Sequence, residues 1–435
     1  MENLMARPRP LGKVFRDPVH NIINYRDEAV LGPLIVSLID TPEMQRLRSV
    51  RQLGLANLVF HGAEHSRFAH SMGVAHVARR ICDAFRNEME PLDRVATVAA
   101  ALLHDIGHAP FSHVMERVFH FHHEDLSAQL LLHPESEAHQ ILRQVDPVLP
   151  QRVVDLICGA TTGLGRDIVS SQMDADRLDY LLRDAHMTGA EVGRYDIERI
   201  LIMLRSDRRG LLVDARAYEA VEGYLVSRYH MYRLIYFHRT VRCAETMLER
   251  AFARARFLAS RGDGSVLPAG TLGDWISGKE EPGVSVARVA DFDAWAALGA
   301  WQHHPDRILS QLASGLLHRK LFKARERVTL TSAPRDGDDT ELEQRIMEEL
   351  SPDERFLFSI DVAHDHPYLP YIGGAGDEAP AIRVVDGHGT VRHIEAISPI
   401  ARALGEASYR LRRWIFHPDL EPKLRHIAGD AWDLA

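Results

Sequence analysis

The stretch Val95–Leu103 (VATVAAALL) constrains the fold more than any other part of the chain. It carries no charge, and wound as a helix it is apolar around its whole circumference. Such a helix has to run through the middle of a body whose other elements surround it. At roughly half the length of a membrane span it is too short to cross a bilayer. The run ends on His104-Asp105, which brings a carboxylate to the edge of that interior. A buried carboxylate is costly unless it is paired or bound to a cation. The end of this helix is therefore where chemistry is expected first.

The chain around it has 435 residues, 46% hydrophobic and 26% charged, enough for a large core. With 52 Lys+Arg against 61 Asp+Glu the net charge is −9, which argues against a protein that coats nucleic acid by charge alone. Three cysteines, Cys82, Cys158 and Cys243, are too few and too scattered for a disulfide framework or a thiolate zinc site. Residues 1–10 are Arg/Pro-rich and lack the apolar stretch of a signal peptide. These features predict a reducing, cytoplasmic setting with no membrane partner. Histidine is the outlier: ten of 25 fall between His61 and His123. Neutral imidazole is a common metal ligand and a near-neutral acid or base.

Patterning divides the chain into an extended N-terminal segment (1–33), a helical body (34–258), a loop with a helical continuation (259–330), and a small α+β C-terminal region (331–435). The fold class expected is mostly α. In the body, Thr41 and Pro42 read as N-cap and first helical residue, followed by Met44, Leu47 and Val50. Val74, Val77, Ile81 and Phe85 form an amphipathic stripe. The Gly/Pro-rich segment 260–290 reads as a loop or hinge, and Trp295–Lys323 as helix. Segment 332–341 reads as a charged link. Beyond it, 356–363, 381–385 and 391–397 read as strands around an Asp386-Gly387 turn.

His70 precedes Val74, Val77 and Ile81 at helical spacing, so it faces inward with them. His70, His104 and Asp105 can converge on one metal, though three ligands leave a divalent ion short of protein donors. A fourth candidate lies in MDADRLDYLLRDA (173–185). There Leu178, Leu181, Leu182 and Ala185 form the core face while Asp176, Tyr180 and Asp184 line another stripe. Arg228, Tyr232 and Tyr236 repeat that spacing in 227–240. Each signal also has a plainer reading, as a satisfied core histidine or a solvated helix face, and His61, His65 and His76 are read that way.

Together, HSRFAHSMGV (65–74), LLHDIGHAPFSH (102–113) and MDADRLDYLLRDA resemble the HD-domain metal-dependent phosphohydrolases. More narrowly, they resemble the deoxynucleoside-triphosphate triphosphohydrolase branch that includes the human SAM-and-HD-domain dNTPase, here with no SAM domain expected ahead of it. The likeness extends through KVFRDPVH (13–20), DTPEMQRLRSVRQLG (40–54) and the Arg228–Arg239 helix, and loosely to LLHRKLFKA (316–324). The resemblance makes 34–258 the HD catalytic domain and implies His70, His104, Asp105 and Asp176 as ligands of one divalent metal. Such a donor set suits Mn, Fe, Co, Ni or Zn, with Mg possible.

It further implies that Arg67, His108, Arg177, Tyr180 and Arg228 contact a triphosphate, with Arg177 standing where the human enzyme has Lys. Gln52, Leu53 and Tyr236 would pack against the sugar, and Asp184 would accept from its 3′-hydroxyl. His113 or His123 would serve as general acid, oriented by Glu116 or Glu124; the family usually has Asp at the Glu116 position. Lys13, Val14, Asp40, Gln45 and Arg48 match positions where related enzymes bind an activating GTP or dNTP between subunits, which implies a homo-oligomer, dimer or tetramer. The activity implied is hydrolysis of dNTP to deoxynucleoside and inorganic triphosphate. The alternatives are another HD phosphohydrolase, either a phosphomonoesterase or a phosphodiesterase of cyclic nucleotides or RNA, and a non-enzymatic nucleotide or nucleic-acid binder. Nucleic acid is not the main partner expected.

Overall fold

In the computed structural model, which describes residues 13–25, 30–326, 336–365, 381–406 and 409–432, every residue from Val95 to Leu103 is buried. The chain enters as an antiparallel hairpin, β1 (Val14–Asp17) and β2 (Asn21–Asn24). The N-terminal segment is therefore only partly extended, because Leu31 already opens α1 (Leu31–Ile39). Helix α2 (Pro42–Arg46) begins as read: Thr41 Oγ1 accepts from Met44 N, and Pro42 fills the first turn. Met44, Leu47 and Val50 are all fully buried, although the last two lie beyond the helix end.

The body continues with α3 (Arg67–Ala84), α4 (Pro91–Leu103), α5 (His113–Phe119), α6 (His123–Leu132), α7 (Glu137–Val145), α8 (Leu149–Ile157), α9 (Leu164–Val169) and α10 (Ala175–Thr188). Ser66 caps α3; Asp174 caps α10, accepting from Arg177 N at 2.8 Å, and Gly189 at φ +79° ends it. Helix α3 packs on α4 and on α10, which is what turns the three toward one site. Next come α11 (Ile197–Ile202), the antiparallel pair β3 (Leu204–Asp207) and β4 (Gly210–Asp214), and α12 (Tyr218–Met231). A π-helical turn, Tyr232–Tyr236, then leads to α13 (Arg239–Ser260).

The later part departs from the sequence reading in detail. Segment 260–290 contains a helix, α14 (Thr271–Ser277), built around buried Trp275, whose Nε1 donates to Ser285 Oγ at 3.2 Å. Trp295–Lys323 is two helices, α15 (Asp291–Trp301) and α16 (Arg307–Leu317), after which β5 (Lys323–Glu326) begins. Of the charged link 332–341, the first residues lie outside the described ones and Asp336 onward is helical, in α17 (Asp336–Glu349). Strands β6 (Phe358–Asp365), β7 (Arg383–Val385) and β8 (Val391–His393) lie where read. The run Ile394–Ile397 is a short helix instead, α18 (Ile394–Ile397), followed by α19 (Pro399–Glu406), β9 (Tyr409–Phe416) and α20 (Glu421–Ala428). A short apolar run does not distinguish strand from buried helix by its period.

Two sheets tie the C-terminal region to the body. One has the order β3-β4-β7-β8, with β7 parallel to β4; the other has the order β5-β9-β6. Among the described residues the main apolar core runs from Ile23 to Trp432, with a small second cluster of Ala56, Ala63 and Val241. The mostly α body with a small α+β part is the architecture observed. Among the described residues no helix is long and apolar enough to cross a membrane.

Candidate active site

His70 on α3, His104 and Asp105 at the end of α4, and Asp176 in the first turn of α10 meet at one point. His70 Nε2 lies 2.9 Å from Asp176 Oδ1 and 3.8 Å from Asp105 Oδ2. His104 Nε2 lies 3.3 Å from Asp105 Oδ1 and 3.6 Å from Asp176 Oδ1. His104 Nδ1 is anchored at 2.9 Å to Ala101 O, so Nε2 is the atom presented to the cluster; it is buried and makes no hydrogen bond among the described residues.

Burial works against charge on the two carboxylates, but Arg67, His104 and His108 hold Asp105 well below the usual range, and His104 and His70 do so for Asp176. Burial likewise opposes charge on His70, yet Asp176 and Asp179 raise it to about 10. The cluster thus draws positive charge to its centre. An orphaned imidazole nitrogen among ionised carboxylates fits a divalent cation.

The outer shell was not anticipated from sequence. His70 Nδ1 lies 2.9 Å from Asp179 Oδ2, and Asp179 also receives Arg183 and His20 Nε2, the last at 2.6 Å. Arg183 reaches on to Asp17. The available signal was Asp179 and Arg183 at i, i+4 on the apolar side of α10, where unpaired charge is not tolerated.

The cluster opens into a cavity of about 600 Å³, within the range of small-molecule sites. Of the residues assigned to substrate, Gln52, Leu53, Arg67, Arg177, Tyr180, Asp184 and Tyr236 line it, as do His108, His113 and His123. Arg67 donates from Nη1 to Asp105 at 2.5 Å and from Nε to Ser112 Oγ at 2.7 Å. Arg177 bonds Ser171 O and Asp174. Asp184 is gripped from both sides, by the Tyr236 hydroxyl at 2.7 Å and by His65 Nε2 at 2.7 Å. His65, read as a plain core residue, therefore belongs to the cavity wall's support. Arg228 does not line the cavity: it is buried behind it, donating to Gln172 Oε1 at 3.0 Å beneath the Tyr232 ring. The π-helical turn breaks the regular spacing expected for Arg228, Tyr232 and Tyr236.

Beside the ligand cluster, Glu116 Oε1 collects three imidazoles: His113 Nδ1 at 2.8 Å, His123 Nδ1 at 3.2 Å and His108 Nδ1 at 3.4 Å. His108 and His123 stack at 3.7 Å between ring centroids, and Glu124 stands 3.4 Å from His123. Burial raises Glu116, but its bonds from His108, His113 and His123 outweigh this and hold it far below the carboxylate range. Burial, with Arg67 and His123 adding positive charge, pushes His108 down to about 3, so its ring is neutral. The five residues matched to a regulatory nucleotide lie off the cavity. Lys13 pairs with Asp40, Arg48 donates to Gln45 at 2.8 Å and stacks on Phe68, and Val14 opens β1.

Residues 67–184 match the HD domain, and 195–261 the HD associated region. A Bacillus subtilis relative, uncharacterized protein YwfO, is 35% identical over 96% of this chain and 97% of its own. The chain belongs to the HD-domain phosphohydrolase family. Its HD domain runs from Arg67 to Asp184 and encloses all four candidate ligands. Deoxynucleoside triphosphate triphosphohydrolase SAMHD1 of Xenopus laevis is 30% identical over 56% of this chain and 45% of that protein, so the match spans about half of that relative. A crystal structure of a phosphohydrolase from Bacteroides thetaiotaomicron superposes with a TM-score of 0.78 at 26% identity, covering 93% of this chain and 99% of that one.

Proposed function

We propose that this HD phosphohydrolase cleaves deoxynucleoside triphosphates to the deoxynucleoside and inorganic triphosphate. The observation that carries the reading is that one cavity is lined by His104, Asp105 and Asp176, the last bonded to His70, by Arg67, Arg177 and Tyr180, and by Gln52, Leu53, Tyr236 and Asp184. That is a cation end, a phosphate lining and a sugar wall in one volume.

His70, His104, Asp105 and Asp176 would hold one divalent ion, of Mn, Fe, Co, Ni or Zn or else Mg. When bound it supplies Lewis acidity at phosphorus and activates water at neutral pH. The remaining work belongs to the chain's own groups. Arg67 and Arg177 offset the charge of the triphosphate and the charge that grows in the transition state. Arg228, bonded to Gln172, adds positive charge close to Tyr180 and Arg177. Asp184, fixed by His65 and Tyr236, accepts from the 3′-hydroxyl, and Gln52 and Leu53 close on the 2′ position. Water adds to the α-phosphorus and the bond from phosphorus to the 5′-oxygen breaks. The leaving oxygen takes its proton from His113 or His123, which Glu116 holds in line. Lys13, Val14, Asp40, Gln45 and Arg48 would take an activating GTP or dNTP as the chain assembles into an oligomer.

The test is incubation of metal-replete protein with each dNTP and NTP, with and without GTP, and separation of products by chromatography. Deoxynucleoside and inorganic triphosphate are expected. Release of orthophosphate or pyrophosphate would reassign the enzyme to another phosphohydrolase reaction, and tight binding without turnover would make it a nucleotide binder.

A further inference from the structure

We infer that Asp17 and His20 of the β1–β2 hairpin are positioning residues of the metal centre, acting on His70 through Asp179; this rests on the metal-dependent reading above. Asp179 lies on α10 just past Asp176 and is fully buried. Its carboxylate is saturated. Oδ1 receives His20 Nε2 at 2.6 Å and Arg183 Nη2 at 2.9 Å, while Oδ2 receives His70 Nδ1 at 2.9 Å and Arg183 Nε at 2.8 Å. Two donors on each oxygen leave it no freedom to turn.

An ionised Asp179 requires the N–H of His70 on Nδ1. That fixes the tautomer and turns Nε2, which sits 2.9 Å from Asp176, toward the cluster. Of the four bonds on Asp179, His20 of the hairpin makes one directly. Arg183 makes two, and Asp17 of the hairpin holds Arg183 by Nη1 at 2.9 Å and Nη2 at 3.2 Å. The same Asp17 closes the turn between the strands, accepting from Val19 N at 2.9 Å and His20 N at 2.8 Å. The hairpin turn and the grip on Arg183 are therefore one arrangement. His20 and Asp179 are 159 positions apart in sequence, and the side chains of Asp17, His20, Asp179 and Arg183 are all buried. Removing His20 leaves Oδ1 short of a donor and lets the carboxylate, and with it the His70 ring, swing.

Titration of the metal-stripped full chain with Mn(II), followed calorimetrically alongside melting temperature, tests this without recourse to turnover. His20→Ala and Asp17→Asn should weaken Mn(II) binding about tenfold or more, the range for outer-shell partners of metal ligands. His20→Gln, whose amide N–H can still reach Asp179, should recover most of the loss. Arg16→Ala, which removes an exposed bond to Asn21 on the same hairpin, should leave affinity unchanged. If the alanine variant does not fold, His20→Asn, too short to reach Asp179, takes its place. Wild-type affinity in a folded His20 variant without the contact overturns the inference, and so does an equal loss in Arg16→Ala. The parent reading fails separately, if the wild-type chain takes up none of Mn(II), Fe(II), Co(II), Ni(II), Zn(II) or Mg(II), or if His70→Ala binds the metal undiminished.

Discussion

At Gly73 the structure leaves room for a hydrogen atom and nothing larger. A Cβ built there would lie 1.9 Å from Asp179 Oδ1 and 2.4 Å from Arg183 Nη2, two side chains that are themselves locked by charge-assisted bonds. Glycine at this position is what lets α3 and α10 close on the outer shell of the candidate metal site. Gly73→Ala should cost about 1–3 kcal/mol, as overpacking does, and should lower bound metal together with stability. A urea melt and metal analysis of the same preparation check it, and normal metal content would show that the shell tolerates the shift. Nearby on α3, the His76 ring lies 5.1 Å from that of His20, and its Nδ1 makes no hydrogen bond among the described residues. Burial, then the positive charge of His20, Arg80 and Arg79, pushes it down to about 4, with Asp179 opposing. The unfolded value is about 6.5. Between the two, the unfolded chain binds a proton that the folded chain does not. This residue's stability contribution is therefore whole above pH 6.5 and is lost as pH falls toward 4, by up to about 1.4 kcal/mol per pH unit. Urea melts at stepped pH should show a shallower acid slope in His76→Gln than in wild type; parallel slopes would reject the assignment.

Among the elements, those with a strong apolar period were legible in the sequence, and the connections that aim their side chains were not. Helices α3 and α4 followed from their apolar patterning, which faces His70 inward and sets Asp105 just past the buried run, while the full ligand set came with the family resemblance. The turn from Ile106 to Ser112 carries no such signal, yet it sets the arginine beside the cluster. Phe111 and Ser112 have φ of +53° and +55°, a region that non-glycine residues occupy only under restraint. The restraint comes from the first residue of α15: Asp291 accepts from Phe111 N at 2.9 Å and from Arg51 N at 3.0 Å. Ser112 Oγ then meets Arg67 Nε. No local pattern ties residue 291 to residue 111, just as none ties Asp17 to Arg183; such pairs exist only once the chain has folded. Helices α14 and α17 escaped for another reason. Their glycine-rich or acidic surroundings mask short helices that are stabilised by tertiary burial of Trp275, Ile346 and Leu350. Asp291→Ala leaves the buried Phe111 N–H unpaired, at a cost of about 1–3 kcal/mol. It should lower the denaturation midpoint and kcat together while metal content is kept. An unchanged kcat in the folded variant would show that the turn holds its shape without this carboxylate.

Across the whole molecule, the C-terminal region does more than complete the core. From β6, Asp361 accepts from Arg242 through Nε at 3.1 Å and again through Nη2. From β9, Arg413 donates to Phe237 O at 2.6 Å and stands 4.0 Å from Asp361. Phe237 and Arg242 both line the cavity. The sheet β5-β9-β6 thus braces the wall where the chain leaves the π-helical turn and enters α13. A wall held this way contributes to binding equally in ground and transition states, so loosening it should raise KM and spare kcat. Asp361→Asn keeps the shape and one acceptor but removes the charge that holds Arg242 and Arg413. The expected outcome is a KM for the substrate raised severalfold, with kcat and Mn(II) affinity near wild type. Steady-state kinetics beside Mn(II) titration decide it. If kcat and metal affinity fall together instead, the C-terminal sheet is coupled to the metal centre itself, and the cavity cannot be divided into a chemical side and a braced binding side.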